Sequence, residues 1–128
     1  MNNISTYLRN TLANAVLRDQ AYTPPTTVWL ALYATDPTPD DTATEVTGNG
    51  YARVQITFTA PTAGICTLAA TITFPAATGS QGSIGYGGLR DAQTGGNLLF
   101  SGPLASAQVV STNGVIQFSA GQITAGFN

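Results

Sequence analysis

Few side chains in this sequence could do chemistry, and the largest group of them is acidic. The chain contains no histidine and no lysine, and its single cysteine is Cys66. Four of its six acidic residues fall within ten consecutive positions: Asp36, Asp40, Asp41 and Glu45. Carboxylates grouped in this way could act as a general acid and base, or they could supply the hard oxygen ligands that Ca²⁺ prefers.

The surroundings of these carboxylates argue against a hydrolytic site. A glycosidase needs two carboxylates across a cleft, and burial must raise the pKa of one of them. The segment from Ala34 to Gly50 is rich in Asp, Thr and Pro, so we expect a solvent-facing loop that leaves its acids hydrated. The spacing also differs from that of an EF-hand. Calcium binding by residues 36–45 stays open as an alternative to a simple solvated loop.

Other catalytic classes lack their residues. Without histidine, no serine or cysteine nucleophile has its usual base, and without lysine no Schiff base can form. The glycine-rich stretches GYGGLRD and GSQGSIGYGG match neither a dinucleotide-binding loop nor a phosphate-binding loop. We therefore predict that the protein is not an enzyme and has no cofactor.

The charge distribution and hydropathy limit the partners. Net charge is −2, and the four basic residues are scattered: Arg9, Arg18, Arg53 and Arg90. No basic stripe is present to neutralise phosphates, so we expect no nucleic-acid binding. No apolar stretch is long enough to cross a bilayer, and the first ten residues do not resemble a secretory signal. We expect no membrane association and folding in a cytoplasm.

The composition indicates a surface suited to an assembly. Charged residues make up 8% of the chain, whereas soluble domains usually contain roughly a quarter. Thr, Ser, Asn, Gln and Gly supply the polarity instead, and such a surface repels its own kind weakly. With 128 residues, 43% of them hydrophobic, the chain is expected to form one domain with one core.

One helix is predicted, from Ile4 to Asp19. Asn3 or Ser5 can cap its start, and Pro24 and Pro25 prevent its continuation. Its apolar stripe recurs at every fourth residue: Ile4, Leu8, Leu12 and Val16. We favour a helix that closes one end of the core over an arm that docks onto another subunit. Residues 1–22 are then the helix and linker, and residues 23–128 a single β-sandwich domain.

The remainder predicts short strands. Thr26 to Tyr33 is apolar on both faces, which is typical of a central strand. From Tyr51 to Thr59 the pattern alternates, so Ala52, Val54, Ile56 and Phe58 should face a core shared with Val28, Leu30 and Leu32.

Further strands follow at short intervals. Cys66 to Phe74 should bend at Ala69-Ala70, and three glycines between Ser83 and Asp91 predict a bulge or a close backbone approach. A strand begins at Asn97, Asn113-Gly114 suits a tight hairpin, and a last strand lies around Ile123. Seven to nine such strands predict an all-β fold, a β-sandwich or jelly roll with one N-terminal helix.

Some side chains have predicted environments. Trp29 and Tyr33 share one face and should be buried, and the apolar neighbours of Cys66 predict a buried thiol. Tyr51 and Tyr86 stand beside glycines and are candidates for exposure, where they could hold sugars.

Five stretches together resemble a phage family. In order they are VWLALYATDPT, TEVTGNGYARVQITFTAP, ATITFPAATG, DAQTGGNLLFSGPLA and IQFSAGQIT. From Thr26 to Thr124 the sequence is similar to small structural proteins of tailed bacteriophages that are commonly labelled tail fibre proteins. Its stretch SIGYGGLRDA departs from the aromatic-containing pattern of that family.

The resemblance implies a non-enzymatic virion protein that assembles in the host cytoplasm and binds other virion proteins, either the major capsid protein or tail proteins. A homo-oligomer is expected from symmetry. Because the chain is short for a fibre with a shaft, we favour a capsid decoration (cement) protein. The alternative is a tail fibre or tail-surface protein that could bind host glycans.

Six residues are the candidates for contact with a neighbouring protein. An arginine fork pairs well with carboxylates, so Arg53 and Arg90 would form charge-assisted bonds to a neighbour; the alternative is that both face water. The remaining candidates are Asp40, Asp41, Tyr51 and Tyr86.

Overall fold

The computed structural model describes residues 1–127, and within them the chain forms one helix and nine strands of two to thirteen residues. The elements in chain order are β1 Asn3–Ile4, α1 Thr6–Arg18, β2 Val28–Tyr33, β3 Val54–Ile56, β4 Ile65–Thr67, β5 Ile72–Thr73, β6 Gly82–Arg90, β7 Leu98–Val110, β8 Gln117–Phe118 and β9 Thr124–Gly126.

The strands form one large sheet and two small ones, and every pairing is antiparallel. The large sheet has the order β1-β7-β6-β2-β3, while β4 pairs with β9 and β5 pairs with β8. The predicted all-β class with one N-terminal helix is confirmed. The division of the chain at residue 22 stays a prediction, and Asn128, the last residue of the predicted sandwich domain, lies outside the described residues.

Strand β2 is buried on both faces, as its sequence predicts. Leu30 and Leu32 lie on one face and Ala31 and Tyr33 on the other, and none of the four is more than 1% exposed. The expectation of a central strand is wrong, because β6 occupies the middle of the five-stranded sheet. Any strand covered on both faces is apolar on both sides, whichever internal position it holds in the sheet. The pattern therefore cannot tell which internal strand is the middle one.

The main core lies between the large sheet and the two small sheets. Its buried side chains include Leu30, Leu32, Ile56, Leu68, Ile72, Phe74, Ile84, Leu89, Ile116 and Ile123. Val54 and Phe58 are half-buried against this cluster, as predicted. Ala52 is exposed, which corrects the prediction, because the pairing with β2 begins only at Val54 and the alternation does not extend before it.

Helix α1 begins two residues later than predicted, because Ile4 lies in β1 and pairs with Phe100, and only the first half of the helix is packed. Ser5 caps it, since its Oγ accepts a hydrogen bond from the Leu8 amide at 3.0 Å. Leu8 is buried, whereas Val16 and Leu17 in the last turns are 79% and 80% exposed. The predicted stripe therefore meets the core at one end and leaves it at Val16.

The turn at Asn113 differs from the predicted hairpin. Asn113 has the expected positive φ of 69°, and the Gly114 amide donates to the carbonyl of Ser111 at 2.8 Å. The residues that follow, however, pair with β5 and not with β7. The turn residues act locally and specify only that the chain reverses direction. Which strand the returning segment pairs with depends on the burial of side chains from other parts of the chain.

One glycine of β6 allows the predicted close approach, whereas the predicted bulge lies on the neighbouring strand. Ile84 pairs with Gln108 and Tyr86 with Pro103, so the extra residues belong to β7 and lie opposite Gly85. At Gly88 a Cβ atom would lie 2.8 Å from Leu98 Cδ1 and 2.9 Å from Tyr33 Cε2. Only a residue without a side chain lets these two neighbours approach so closely.

Candidate functional site

Arg90, the last residue of β6, joins the predicted acidic loop to the body of the protein. Its Nη1 and Nη2 donate to Asp41 Oδ1 and Oδ2 at 2.9 and 2.8 Å, which is a two-point pairing of fork and carboxylate. Nη1 also donates to Tyr33 Oη at 2.9 Å, and Nη2 to the carbonyl of Gly96 at 3.0 Å. The side chain is 9% exposed.

Arg53 makes an equivalent arrangement just before β3. Its Nε and Nη2 donate to Glu45 Oε2 and Oε1 at 2.8 and 2.6 Å, and its Nη1 donates to the carbonyls of Ala92 and Gly95 at 2.8 and 2.9 Å. Tyr51 Oη donates to the same Glu45 carboxylate at 2.5 Å. Loop 34–50 and loop 91–97 are thus fixed to each other through arginine side chains, and we call their outer surface the clamped loop surface.

The electrostatics of Glu45 favour its ionised form. Burial by itself raises the pKa of this carboxyl, but hydrogen bonds from Arg53 and Tyr51 outweigh burial and hold the pKa below its ordinary value. The same bond to Glu45 raises the pKa of the Arg53 guanidinium. Burial and the bond to Glu45 raise the pKa of the Tyr51 phenol, so Tyr51 remains a neutral donor.

Hydrogen bonds also outweigh burial in setting the pKa of Arg90. Burial lowers the pKa of Arg90, yet its bonds to Asp41 and Tyr33 outweigh this effect and raise the pKa above its ordinary value. Burial raises the pKa of Tyr33, although the bond from Arg90 opposes it. Near neutral pH, Glu45 is therefore ionised, both arginines are charged, and Tyr33 and Tyr51 are neutral.

These geometries bear on the predicted contact residues. The arginine side chains do not face water, since Arg53 is 6% and Arg90 9% exposed, and carboxylates of the same chain occupy their forks. Contact with another protein stays a prediction for all six candidates. The arginines, however, would act mainly by holding the clamped loop surface in shape.

The acidic side chains of the loop take separate partners. Asp36 accepts from the Thr38 amide at 3.0 Å and Asp40 from Thr6 Oγ1 at 2.6 Å. Among residues 1–127, no three acidic or cysteine side chains converge where a metal ion could be held. The expected exposure holds for Asp36, Asp40 and Asp41, but Glu45 is half-buried by its bonds to Arg53 and Tyr51.

The two candidate sugar-binding tyrosines are not exposed. Tyr51 stacks on Phe74 with ring centroids 6.2 Å apart, and its hydroxyl also accepts a bond from the Leu32 amide at 3.0 Å. Tyr86 is half-buried in β6. Glycine neighbours thus did not indicate exposure. Of the other predicted environments, Tyr33 is buried, while Trp29 and Cys66 are only half-buried.

Two concave features have no signal in the sequence. A hollow of about 320 Å³ opens on the clamped loop surface beside Thr47, Tyr51, Arg53 and Thr94. A second pocket of about 350 Å³ is lined almost wholly by apolar side chains, among them Val28, Phe58, Cys66, Leu99, Phe100 and Phe127. Its walls come from separate segments of the chain, so no local pattern could have revealed it.

The model of one protein family matches residues 3–126, and that family is described as podophage GP4 fiber I protein gp80. None of the curated proteins matches the chain. Within residues 1–127, no helix combines the length and the apolar character that crossing a membrane would require.

Proposed function

The chain belongs to the family of podophage GP4 fiber I protein gp80, and we propose that it is a non-enzymatic structural component of a phage tail fibre. The family match over residues 3–126 carries this proposal. It supports the tail alternative from the sequence better than the capsid decoration that the short length had favoured. The proposed location is the virion, after assembly in the host cytoplasm, and the proposed partners are other virion proteins.

The rigid loops support a role in protein contact. A surface that is already ordered before binding loses little conformational entropy when a partner arrives. The four arginine-to-backbone bonds at Ala92, Gly95 and Gly96 fix loop 91–97 in this way. We propose the clamped loop surface as the face that meets another virion protein, with Asp40 and Asp41 at its edge.

The polar chemistry of the site supports a structural role over a catalytic one. Arg53 and Tyr51 stabilise Glu45 in its ionised form, and such a carboxylate is a poor general acid. Both carboxylate oxygens of Asp41 are occupied by Arg90. Binding of host glycans is the less favoured role, because the Tyr51 ring and hydroxyl are both occupied within the chain.

Particle localisation tests the proposal. Purified phage particles are separated into heads and tails, and each fraction is probed with an antibody against this chain and by electron microscopy. The chain is expected in the tail fraction, at the fibres. Its presence only on heads would restore the decoration hypothesis, and its absence from both fractions would overturn a virion role.

A rebinding assay tests the contact face. Particles that lack the chain are incubated with purified protein, and bound protein is measured after sedimentation. Thr94→Arg, beside the hollow of the clamped loop surface, should reduce rebinding. Ser106→Arg, on the exposed part of β7, is the matched control and should rebind like the unaltered chain. Equal rebinding of both variants would exclude this face.

A further inference from the structure

The last turns of helix α1 carry two apolar side chains that nothing in the described part of the chain covers. Val16 and Leu17 are adjacent and are 79% and 80% exposed. We call this pair the helix knob. Single exposed apolar residues are ordinary on a protein surface, but two consecutive ones in the last turns of a helix, pointing about 100° apart around its axis, form an exposed apolar feature.

Few buried side chains stabilise the second half of helix α1. Helices shorter than about 12–15 residues are marginal in water, and packing of an apolar face supplies most of their stability. Helix α1 has 13 residues, and Leu8 is its one buried side chain. Covering the helix knob would supply the packing that the last turns lack.

The same chain presents an apolar pocket. Phe100 and Phe127 form one wall with ring centroids 5.4 Å apart, and Phe58 and Cys66 line the pocket as well. Among residues 1–127, none of the residues that line the pocket is charged, and the lining residues Leu89 and Leu99 belong to the buried core. With a volume of about 350 Å³, the pocket can receive aliphatic side chains without burying a charge.

We propose that the helix knob of one copy of this chain enters the apolar pocket of the next copy. An apolar projection and a pocket that accepts it, carried by one chain at different places, produce a head-to-tail contact that closes into a ring if the rotation permits. The weakly charged surface of this chain opposes such an approach little. This inference rests on the proposed function and deepens it by naming a second copy as a partner.

A mixing experiment distinguishes this knob-to-pocket contact from a symmetric contact, in which both copies use the same surface. Leu17→Lys puts a charge in place of one of the two knob residues, which prevents the knob from entering an apolar pocket, and it suits the helix C-terminus, where a positive charge is favoured. Phe127→Asp places a charge at the pocket wall, at a position that is 45% exposed. Val109→Lys is the control, since Val109 is 79% exposed but belongs to neither feature. Sedimentation and light scattering measure the assemblies, and circular dichroism checks folding.

The unaltered chain and Val109→Lys should both self-associate, and each of the other two variants alone should be monomeric. An equimolar mixture of Leu17→Lys and Phe127→Asp should contain dimers, because one variant keeps the pocket and the other keeps the knob. An unaltered chain that stays monomeric, or a mixture without dimers, would overturn the proposal. So would self-association of Phe127→Asp, because the knob would then be bound elsewhere.

Cys66 gives an independent readout in the unaltered pocket. It is the single cysteine of the chain and lines the pocket. Its alkylation by a maleimide should slow as protein concentration rises, and it should not slow in Leu17→Lys. A rate independent of concentration in the unaltered chain would contradict the proposal even if Phe127→Asp fails to fold. None of these results depends on binding to phage particles, so the proposed function can stand if this contact does not exist.

Discussion

Arg53 and Arg90 donate to one and the same carbonyl oxygen, that of Gly95. The distances are 2.9 Å from Arg53 Nη1 and 3.3 Å from Arg90 Nε. Two guanidinium groups can share an acceptor because each carries its own carboxylate, Glu45 or Asp41, which offsets the repulsion between them. The loop that contains Gly95 is therefore held by both ion pairs at once.

Removing Arg90 should destabilise the protein strongly. Arg90→Ala leaves Tyr33 without its donor and Asp41 without its counter-charge, and breaking a buried pair typically costs about 3 kcal/mol or more. We expect the loss of unfolding free energy to be near the lower end of that range, because Asp41 is 34% exposed and water can hydrate it. Urea unfolding followed by fluorescence measures the change. Arg9→Ala, at an exposed helix position, should change stability by less than about 0.5 kcal/mol; similar losses in both variants would contradict the role of Arg90.

Acid should lower the folding stability of the protein, because it protonates Glu45. The pKa of Glu45 is lowered in the folded state, so the unfolded chain binds its proton more readily. The stability that Glu45 contributes is then complete above its ordinary pKa of 4.5 and is lost as the pH falls below that value through the folded-state pKa.

Unfolding free energies measured between neutral and acidic pH test this prediction. Glu45→Gln should show a shallower decrease below pH 4.5 than the unaltered chain. Asp36→Asn is the control, since an amide oxygen at this exposed position can still accept the Thr38 bond; it should keep the steep decrease. A decrease that is the same with and without Glu45 would exclude it as the source.

Phe74 should matter more than Phe58, although both are strand-associated phenylalanines. Phe74 is 4% exposed and packs against Tyr51 and Phe118. Phe74→Ala should therefore cost about 3–5 kcal/mol. Phe58 is half-buried and lines the apolar pocket, so Phe58→Ala should cost roughly half as much. Thr57→Ala, on the exposed side, should cost least. Thermal and urea unfolding give this order, and equal losses for Phe58 and Thr57 would mean that the strand faces were assigned wrongly.

Two glycines of the same strand should differ in their response to one methyl group. Gly88→Ala would force a Cβ into Leu98 and Tyr33 and should cost about 1–3 kcal/mol, as overpacking usually does. At Gly85 the nearest atom to an added Cβ is 3.9 Å away, so Gly85→Ala should change stability by less than about 0.5 kcal/mol. A tolerated Gly88→Ala would show that the sheet can widen at that point.

Sequence reasoning reached part of the candidate site. It selected Arg53 and Arg90, because an arginine fork pairs well with carboxylates, and it included Asp41 among the candidate contact residues. It did not find that their partners lie within the chain, since Arg90 and Asp41 are 49 positions apart. Glu45 was grouped with the solvated acids, although Arg53 lies only eight positions after it. A loop's path decides such pairings, and loop composition does not encode the path.

Local patterns by themselves determined the fold class. The apolar run in β2, the alternation in β3, the capped helix that begins after Ser5 and the turn residues around Asn113 all act over a few positions. Steric and hydrogen-bonding preferences operate directly over such distances. The tertiary structure alone decided which strands pair, that β6 lies at the centre, that Val16 leaves the core and that an apolar pocket forms around Phe127. These outcomes depend on contacts between distant segments, whose free energy arises only when the whole chain is packed.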